Sequence, residues 1–198
     1  MPRGIDTRTR LLDAALEAFA ADGYAGASIR QITRAVDVRE SAFYAHFPSK
    51  RAVWDALVSE GGPAVVLREL GAADADASPG DVLAAIAEGA LAAWSTRRAR
   101  AIAAIVLRDA SGSGDELRLL LTQVDDALLR LAALFVRWRT AGRIHAAAES
   151  ETLAFEFMAP IVMARLFYFH LQADDAAAMR GRALIAAHVA SFSALIAR

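Results

Sequence analysis

Residues 28–50 of this 198-residue chain read SIRQITRAVDVRESAFYAHFPSK, which predicts two short helices around a tight turn. Ser28, followed three residues later by Gln31, fits a capping box, a common helix start. Asp37 makes the turn, because aspartate tolerates the left-handed backbone that such a corner needs, although less well than glycine. A second short helix then runs from about Arg39 to His46.

A short helix, a turn and a second helix of mostly small side chains form a unit that fits the DNA major groove. Residues 28–51 carry five basic and two acidic side chains, a local charge of +3. The whole chain has a formal net charge of −1 at pH 7, so it is not a polycation that binds nucleic acid unspecifically. The prediction of DNA binding therefore rests on the pattern more than on charge.

The composition predicts an all-α protein of about nine helices. Hydrophobic residues make up 56% of the chain, alanine is the commonest residue, and clusters of strand-forming residues are scarce. Apolar stripes at helical spacing mark helices over 7–22, 115–140 and 175–196, the first of them ending at Gly23. The chain has no cysteine, which excludes disulfides, thiolate metal sites and a cysteine nucleophile.

Residues 153–171 are long and apolar enough to raise the question of a membrane span. Glu156, Arg165 and His170 interrupt them, and a charge near the middle of a bilayer costs about 2.5–3.5 kcal/mol. A helix covered on both faces by protein is the better prediction. The N-terminus lacks the apolar core of a signal peptide, so we expect a cytoplasmic protein that does not enter the membrane.

The series helix, Gly-Tyr, Ser-x-x-x-Ile, turn, short helix and Phe-Tyr-x-His-Phe-Pro-Ser-Lys resembles the TetR family of bacterial transcriptional regulators. The resemblance covers about residues 7–58 closely, and the remainder matches in length and helical character. It implies a three-helix, helix-turn-helix DNA-binding domain over 1–52. It also implies a larger helical domain over 53–198 that binds an effector and dimerises.

The resemblance implies a DNA-contact role for ten residues. Tyr44 and Lys50 match positions that contact phosphate, the lysine at a helix start where ammonium and helix dipole both attract anions. Ser28 would cap its helix and touch a phosphate, while Arg30 could bind guanine O6 and N7 together. The rest of the predicted face comprises Arg39, Glu40, Ser41, Ala42, Ala45 and His46.

Each of these side chains also has a simpler interpretation. Arg30 and Arg39 could be ordinary surface charges, Tyr44 a half-buried tyrosine bonded to the backbone, and Lys50 a solvated lysine at a helix start. His46 is more typical of a residue that packs against or bonds to a neighbour. The turn carries Asp37 where the family commonly has glycine. Glu40 stands where a neutral or basic residue is frequent, which leaves the bases that are read open.

The aromatic and Met side chains of the second half suggest a ligand cavity, although such residues at helical spacing often form simple core. The helix over 153–171 has more apolar faces than one small core can use, so we expect one face towards a cavity and another towards a second subunit. The candidate ligand contacts are Trp94, Trp138, Phe155, Met158, Met163 and Arg165. The candidate dimer contacts are Phe167, His170, Leu184, His188, Phe192 and Ile196, partly because small residues in the last helix allow a four-helix interface.

The function implied by the resemblance is a homodimeric regulator, commonly a repressor, that leaves a palindromic DNA operator when a small-molecule effector binds. Its partners would be double-stranded DNA and that effector, with no cofactor and no metal. An enzyme is disfavoured because the chain lacks the nucleophile, dinucleotide and phosphate-loop motifs and shows no His pair at metal spacing. The alternative is a helical small-molecule-binding or scaffolding protein that does not bind DNA.

Overall fold

The computed structural model describes residues 6–61, 77–109, 115–170 and 173–197. These residues form nine α-helices and no strand, which confirms the predicted all-α fold with an N-terminal helix-turn-helix. The helices are α1 (Thr7–Gly26), α2 (Ile29–Ala35), α3 (Glu40–His46), α4 (Lys50–Gly61), α5 (Pro79–Trp94), α6 (Arg97–Asp109), α7 (Asp115–Thr140), α8 (Ser150–Tyr168) and α9 (Asp175–Ile196).

The first helix is interrupted where the sequence predicts its end. Gly23 has φ of 76° and ψ of 166°, a conformation that only glycine adopts without strain. One further turn continues to Gly26, and the extended backbone of Ala27 then leads into the cap of α2. A corner formed by residues 23–28 thus separates α1 from α2.

The N-terminal helices share one hydrophobic core with α6. Phe19 from α1, Phe43 from α3 and Trp54 from α4 are fully buried there. Residues Ala101, Ile102 and Ile105 of α6 complete the same cluster. The predicted domain boundary between residues 52 and 53 stays a prediction, but α4 lies across it and turns Val53, Trp54, Leu57 and Val58 into the N-terminal core.

A second core joins α5, α7, α8 and α9. α8 packs between α7 and α9, and α5 packs against α9. The largest side chains at its centre are Trp94, Phe135, Phe157 and Phe169. The described helices α5, α7, α8 and α9 therefore form a four-helix unit with a core of its own.

The apolar α8 buries only one of its faces within the protomer. Leu153, Phe157 and Ile161 point into the core, whereas Phe155, Met163 and Phe167 are exposed on the opposite face. Among the helices in the described parts of the chain, none is long and apolar enough to cross a membrane. The second apolar face predicted from the sequence thus exists and is open in the isolated chain.

Candidate nucleic-acid interface

The start of α2 is held by two side chains. Ser28 has extended backbone, and its Oγ accepts a hydrogen bond from the Gln31 amide at 3.2 Å. In a complete capping box the Gln31 side chain would return to the Ser28 amide. Here its Nε2 donates to Asp22 Oδ2 at 2.6 Å instead. Gln31 therefore ties α2 to α1, and Ser28 alone caps the helix.

Asp37 adopts the left-handed conformation that the sequence predicts for the turn. Its φ is 53°, and it is the one non-glycine residue with positive φ among the described residues. Around it, the amides of Val36 and Val38 both donate to the Thr33 carbonyl, at 3.3 and 3.1 Å. This tight corner sets the direction in which α3 leaves α2.

α3 is a short amphipathic helix anchored by two phenylalanines. Phe43 is buried under the helix, and Phe47 is buried directly after its last residue. Their ring centroids lie 5.9 Å apart. The outward face consists of Glu40, Ser41, Tyr44, Ala45 and His46, all exposed, with Ala42 half-buried at its edge.

Tyr44 projects from this face with 53% of its surface exposed. Its ring meets the Phe43 ring edge to face, with centroids 5.5 Å apart. The aromatic ring is therefore supported from below while the phenol is accessible to an incoming phosphate group. The phosphate contact expected of Tyr44 stays a prediction, and its exposed position leaves room for one.

A surface depression of about 430 Å³ lies between α2 and α3. It brings together the predicted base-reading residues Arg30, Arg39 and Glu40, all of them exposed. Arg34, which is not among the predicted DNA contacts, also lines the depression. Its position four residues after Arg30 puts both arginines on one side of α2, a spacing that could have identified it.

The Lys50 side chain is directed at the corner between α1 and α2. Its Nζ donates to the carbonyls of Tyr24 at 2.6 Å and Ala27 at 2.7 Å, and more weakly to that of Ala25 at 3.4 Å. The ammonium also lies 4.6 Å from the centre of the Tyr24 ring. The phosphate contact expected of Lys50 stays a prediction, but its charge already has partners within the chain.

The six candidate ligand residues lie in different surroundings. Trp94, Trp138 and Met158 are buried in the C-terminal core, whereas Phe155 and Met163 point outward from α8. The Arg165 guanidinium lies 4.6 Å from the centre of the Trp94 ring and donates to the Ala99 carbonyl at 3.3 Å. Burial lowers the pKa of Arg165 to about 10, so it remains a cation at neutral pH. Only Trp94 and Arg165 of this set form a stacked pair.

The candidate dimer residues divide into exposed and buried groups. Phe167, Leu184 and His188 line a groove of about 350 Å³ between α8 and α9, and His170 is exposed just after α8. The Nε2 atom of His188 is 2.9 Å from the Phe157 carbonyl. Phe192 and Ile196 are only 5% and 1% exposed, because both are part of the protomer's own core. These two residues have almost no surface to offer a partner, so their proposed interface role is corrected to core packing.

The described residues contain no group of three or more His, Asp or Glu side chains that could hold a metal ion. The geometry that does stand out is the pair α2 and α3, joined by a left-handed turn and backed by a buried aromatic floor. This arrangement defines the class of helix-turn-helix proteins.

Comparisons with known proteins agree with this assignment to the helix-turn-helix class. Residues 11–57 match the family described as bacterial regulatory proteins, tetR family. A 54-residue segment is 43% identical to each of two HTH-type transcriptional regulators of Pseudomonas putida, SrpR and TtgW. The segment is 27% of this chain and spans 25% of SrpR and 40% of TtgW.

Solved structures resemble the chain over almost its whole length. Salmonella enterica GusR superposes with a TM-score of 0.72 at 22% identity, over 99% of this chain and 98% of its own. The ketosteroid transcriptional regulator KstR2 of Mycobacterium tuberculosis gives 0.67 at 15% identity, over 99% and 97%. The N-terminal helices are thus similar to the tetR family, and the chain shares the fold of these solved structures over nearly its whole length.

Proposed function

We propose that this protein is a sequence-specific DNA-binding transcriptional regulator whose α3 enters the major groove. The observation that carries the proposal is the outward face of α3. It presents small and polar side chains with an exposed Tyr44, while Phe43 and Phe47 hold the helix from below. Small side chains let a helix approach base edges closely, and a rigid floor keeps the orientation constant.

Phosphate and base contacts would come from different parts of this surface. Ser28 and Tyr44 supply hydroxyl groups that position the domain on the DNA backbone. Arg30 and Arg39 are the candidates for guanine, since a guanidinium can pair with O6 and N7 together. Glu40 at the start of α3 would accept from cytosine N4, and at other bases it would weaken binding by repelling phosphate.

The protein would bind as a homodimer through the exposed faces of α8 and α9. These helices run antiparallel, since Phe157 contacts Phe192 while Tyr168 lies against Gly181. The same alignment puts Leu195 near Phe155 and Leu184 near Phe167, so the exposed apolar side chains form one continuous face. A face of this kind is uncommon on a monomer and is typical of an interaction site. A twofold dimer would then read a palindrome, with its two α3 helices about 34–36 Å apart.

Regulation would come from a small molecule in the C-terminal domain, with repression as the ordinary mode. The Arg165 guanidinium stacks on the buried Trp94 ring and donates to the Ala99 carbonyl of α6, so it links the C-terminal core to the helix that completes the N-terminal core. A ligand that displaced α6 would shift α4 and the helix-turn-helix with it. Release of DNA requires that the ligand bind the DNA-free conformation more tightly.

Selection of bound duplexes from a random DNA pool tests this proposal. Ala45→Glu puts a negative charge on the exposed face of α3, and Ala85→Glu makes the same change on the exposed side of α5. The native protein and the Ala85 variant should recover one palindromic sequence, and the Ala45 variant should recover none. If no protein enriches a sequence at moderate salt, the DNA-binding function is refuted and a helical ligand-binding or scaffolding protein becomes the better explanation.

A further inference from the structure

The end of α1 leaves carbonyl groups that the helix itself does not satisfy. The last carbonyls of any α-helix lack intrahelical partners and form the negative end of its dipole. α1 has no basic residue in its last turn. A cation from elsewhere in the chain is therefore the natural partner for this end.

Lys50 supplies that cation from the first position of α4. An ammonium has three N–H donors, and three carbonyls, those of Tyr24, Ala25 and Ala27, lie within hydrogen-bonding distance of Nζ. The same charge covers the Tyr24 ring, which packs against Phe19 and Trp54 at centroid distances of 5.4 and 5.7 Å. Lys50 thus connects the corner of residues 23–28 to α4 through polar and aromatic contacts at once.

We infer that Lys50 is a positioning residue, which fixes the corner between α1 and α2 so that Ser28 and the start of α2 meet the DNA backbone correctly. Ser28 follows directly after Ala27, one of the two carbonyls closest to the ammonium. The two short bonds, to Tyr24 and Ala27, leave only the N–H that reaches Ala25 at 3.4 Å for a phosphate. Lys50 therefore acts on DNA affinity mainly through the corner. This inference rests on the proposed DNA-binding function.

Three variants separate the two roles. Lys50→Met removes the charge and keeps an unbranched side chain. Lys50→Arg keeps the charge for a phosphate but replaces the compact ammonium with a planar fork that does not fit three converging carbonyls. Arg51→Gln is the charge control, because it removes the same unit of positive charge one residue further along the chain. Arg51 forms an ion pair with Asp55 in the same helix.

The first measurement is made without DNA. Amide exchange at residues 24–28 should become faster in both Lys50 variants and stay unchanged in the Arg51 variant. Loss of hydrogen bonds to a charged group should also lower the Tm of Lys50→Met by roughly 4–8 °C. Unchanged exchange and Tm in Lys50→Met would overturn the inference, whether or not the protein binds DNA.

The second measurement is DNA affinity against salt concentration, at a temperature where every variant is folded. The probe is the duplex recovered by selection, or a labelled random-sequence duplex if none is recovered. Lys50→Met should bind about tenfold more weakly with the native salt slope, and Lys50→Arg should be weakened too. A salt slope reduced by about 0.9 in Lys50→Met, with Lys50→Arg like the native protein, would identify a phosphate contact instead.

Native affinity in Lys50→Met despite a loosened corner would reduce Lys50 to a purely structural role. If the native protein binds neither duplex, the proposed function fails, and the exchange data still decide whether Lys50 holds the corner.

Discussion

At the scale of single residues, Asp37 holds a backbone conformation that an L side chain adopts at a steric cost. Its φ is 53°, and glycine would relieve the contact between Cβ and the neighbouring carbonyl. We predict that Asp37→Gly raises the free energy of unfolding by about 0.5–1 kcal/mol, part of the gain being offset by the freer unfolded chain. Urea denaturation monitored by circular dichroism measures the change.

Gly142 provides the reciprocal control for this prediction. It has φ of 67°, and a Cβ built there would meet nothing within 4 Å. Gly142→Asp should therefore lower the free energy of unfolding by about 0.5–1 kcal/mol through backbone conformation alone. Stabilisation by both substitutions, or by neither, would show that the left-handed backbone does not determine stability at these turns.

Ser28 combines a structural role with a proposed DNA contact, and the two can be separated by charge. Asp and Asn both cap helices about as well as Ser, so Ser28→Asp and Ser28→Asn should unfold at nearly the native urea concentration. Only the Asp variant adds a negative charge where phosphate is expected. We predict that its DNA affinity falls at least tenfold, whereas that of the Asn variant falls less, as an affinity titration would measure. Equal affinities for the two would remove Ser28 from the DNA surface.

The residues of the α3 face could be predicted from sequence because local patterns determine which side of a short amphipathic helix is buried. Tyr44 and Glu40 are exposed as expected, and Phe43 is buried. The partners of Lys50 could not be predicted, since they lie 23–26 positions earlier in the chain. The interface role expected of Phe192 and Ile196 was corrected for a related reason. Periodicity identifies the apolar side of α9, but it does not tell whether the same protomer or a second one packs against that side.

At the scale of helices, α6 belongs to the N-terminal core although it follows α5 of the C-terminal unit. Its first two residues, Arg97 and Arg98, reinforce the apolar contact with ion pairs to α1. Arg98 pairs with Asp13 and is only partly exposed, whereas Arg97 lies 3.6 Å from Glu17 with both side chains in solvent. Exposed ion pairs contribute little to the free energy of unfolding, and partly buried ion pairs contribute more.

We therefore predict that Arg98→Ala lowers the free energy of unfolding by about 1 kcal/mol, and that Arg97→Ala leaves it unchanged within error. Arg98 keeps α6 against α1, so its loss should also loosen the connection between the two cores. Faster amide exchange in α6 of the Arg98 variant, measured beside the Arg97 variant, would demonstrate this. Equal exchange in both variants would assign the contact to the apolar core alone.

Helix positions were predictable because caps and glycines are local signals. Gly23 marks the break in α1, and the helices over 115–140 and 175–196 have the expected limits. The start of α5 at Pro79 follows the Ser78 cap, another local signal. The assignment of α6 to the N-terminal core was beyond sequence reasoning, because a helical period does not specify which surface will cover it.

At the scale of the whole molecule, the open apolar face of α8 and α9 is the feature that one chain leaves unsatisfied. Phe155 and Phe167 are each 62% exposed at opposite ends of this face. Burying aromatic side chains from two protomers would release about 25 cal/mol per Å² of apolar surface. A dimer would also align two helix-turn-helix units on the successive half-sites of a palindrome.

Charge on this face should produce folded monomers. Phe167 and Leu184 lie exposed on the two walls of the groove between α8 and α9, so Phe167→Glu with Leu184→Glu leaves the protomer core intact. Light scattering should give half the native mass, with helical circular dichroism retained. Leu129→Glu on α7 is the control, since Leu129 is equally exposed but lies on a helix outside the proposed interface.

The monomer should also bind its palindrome far more weakly than the native dimer, because each half-site then has to be occupied independently. A double variant that stays dimeric would place the subunit contact elsewhere, and the α8 and α9 face would then need another partner to cover it.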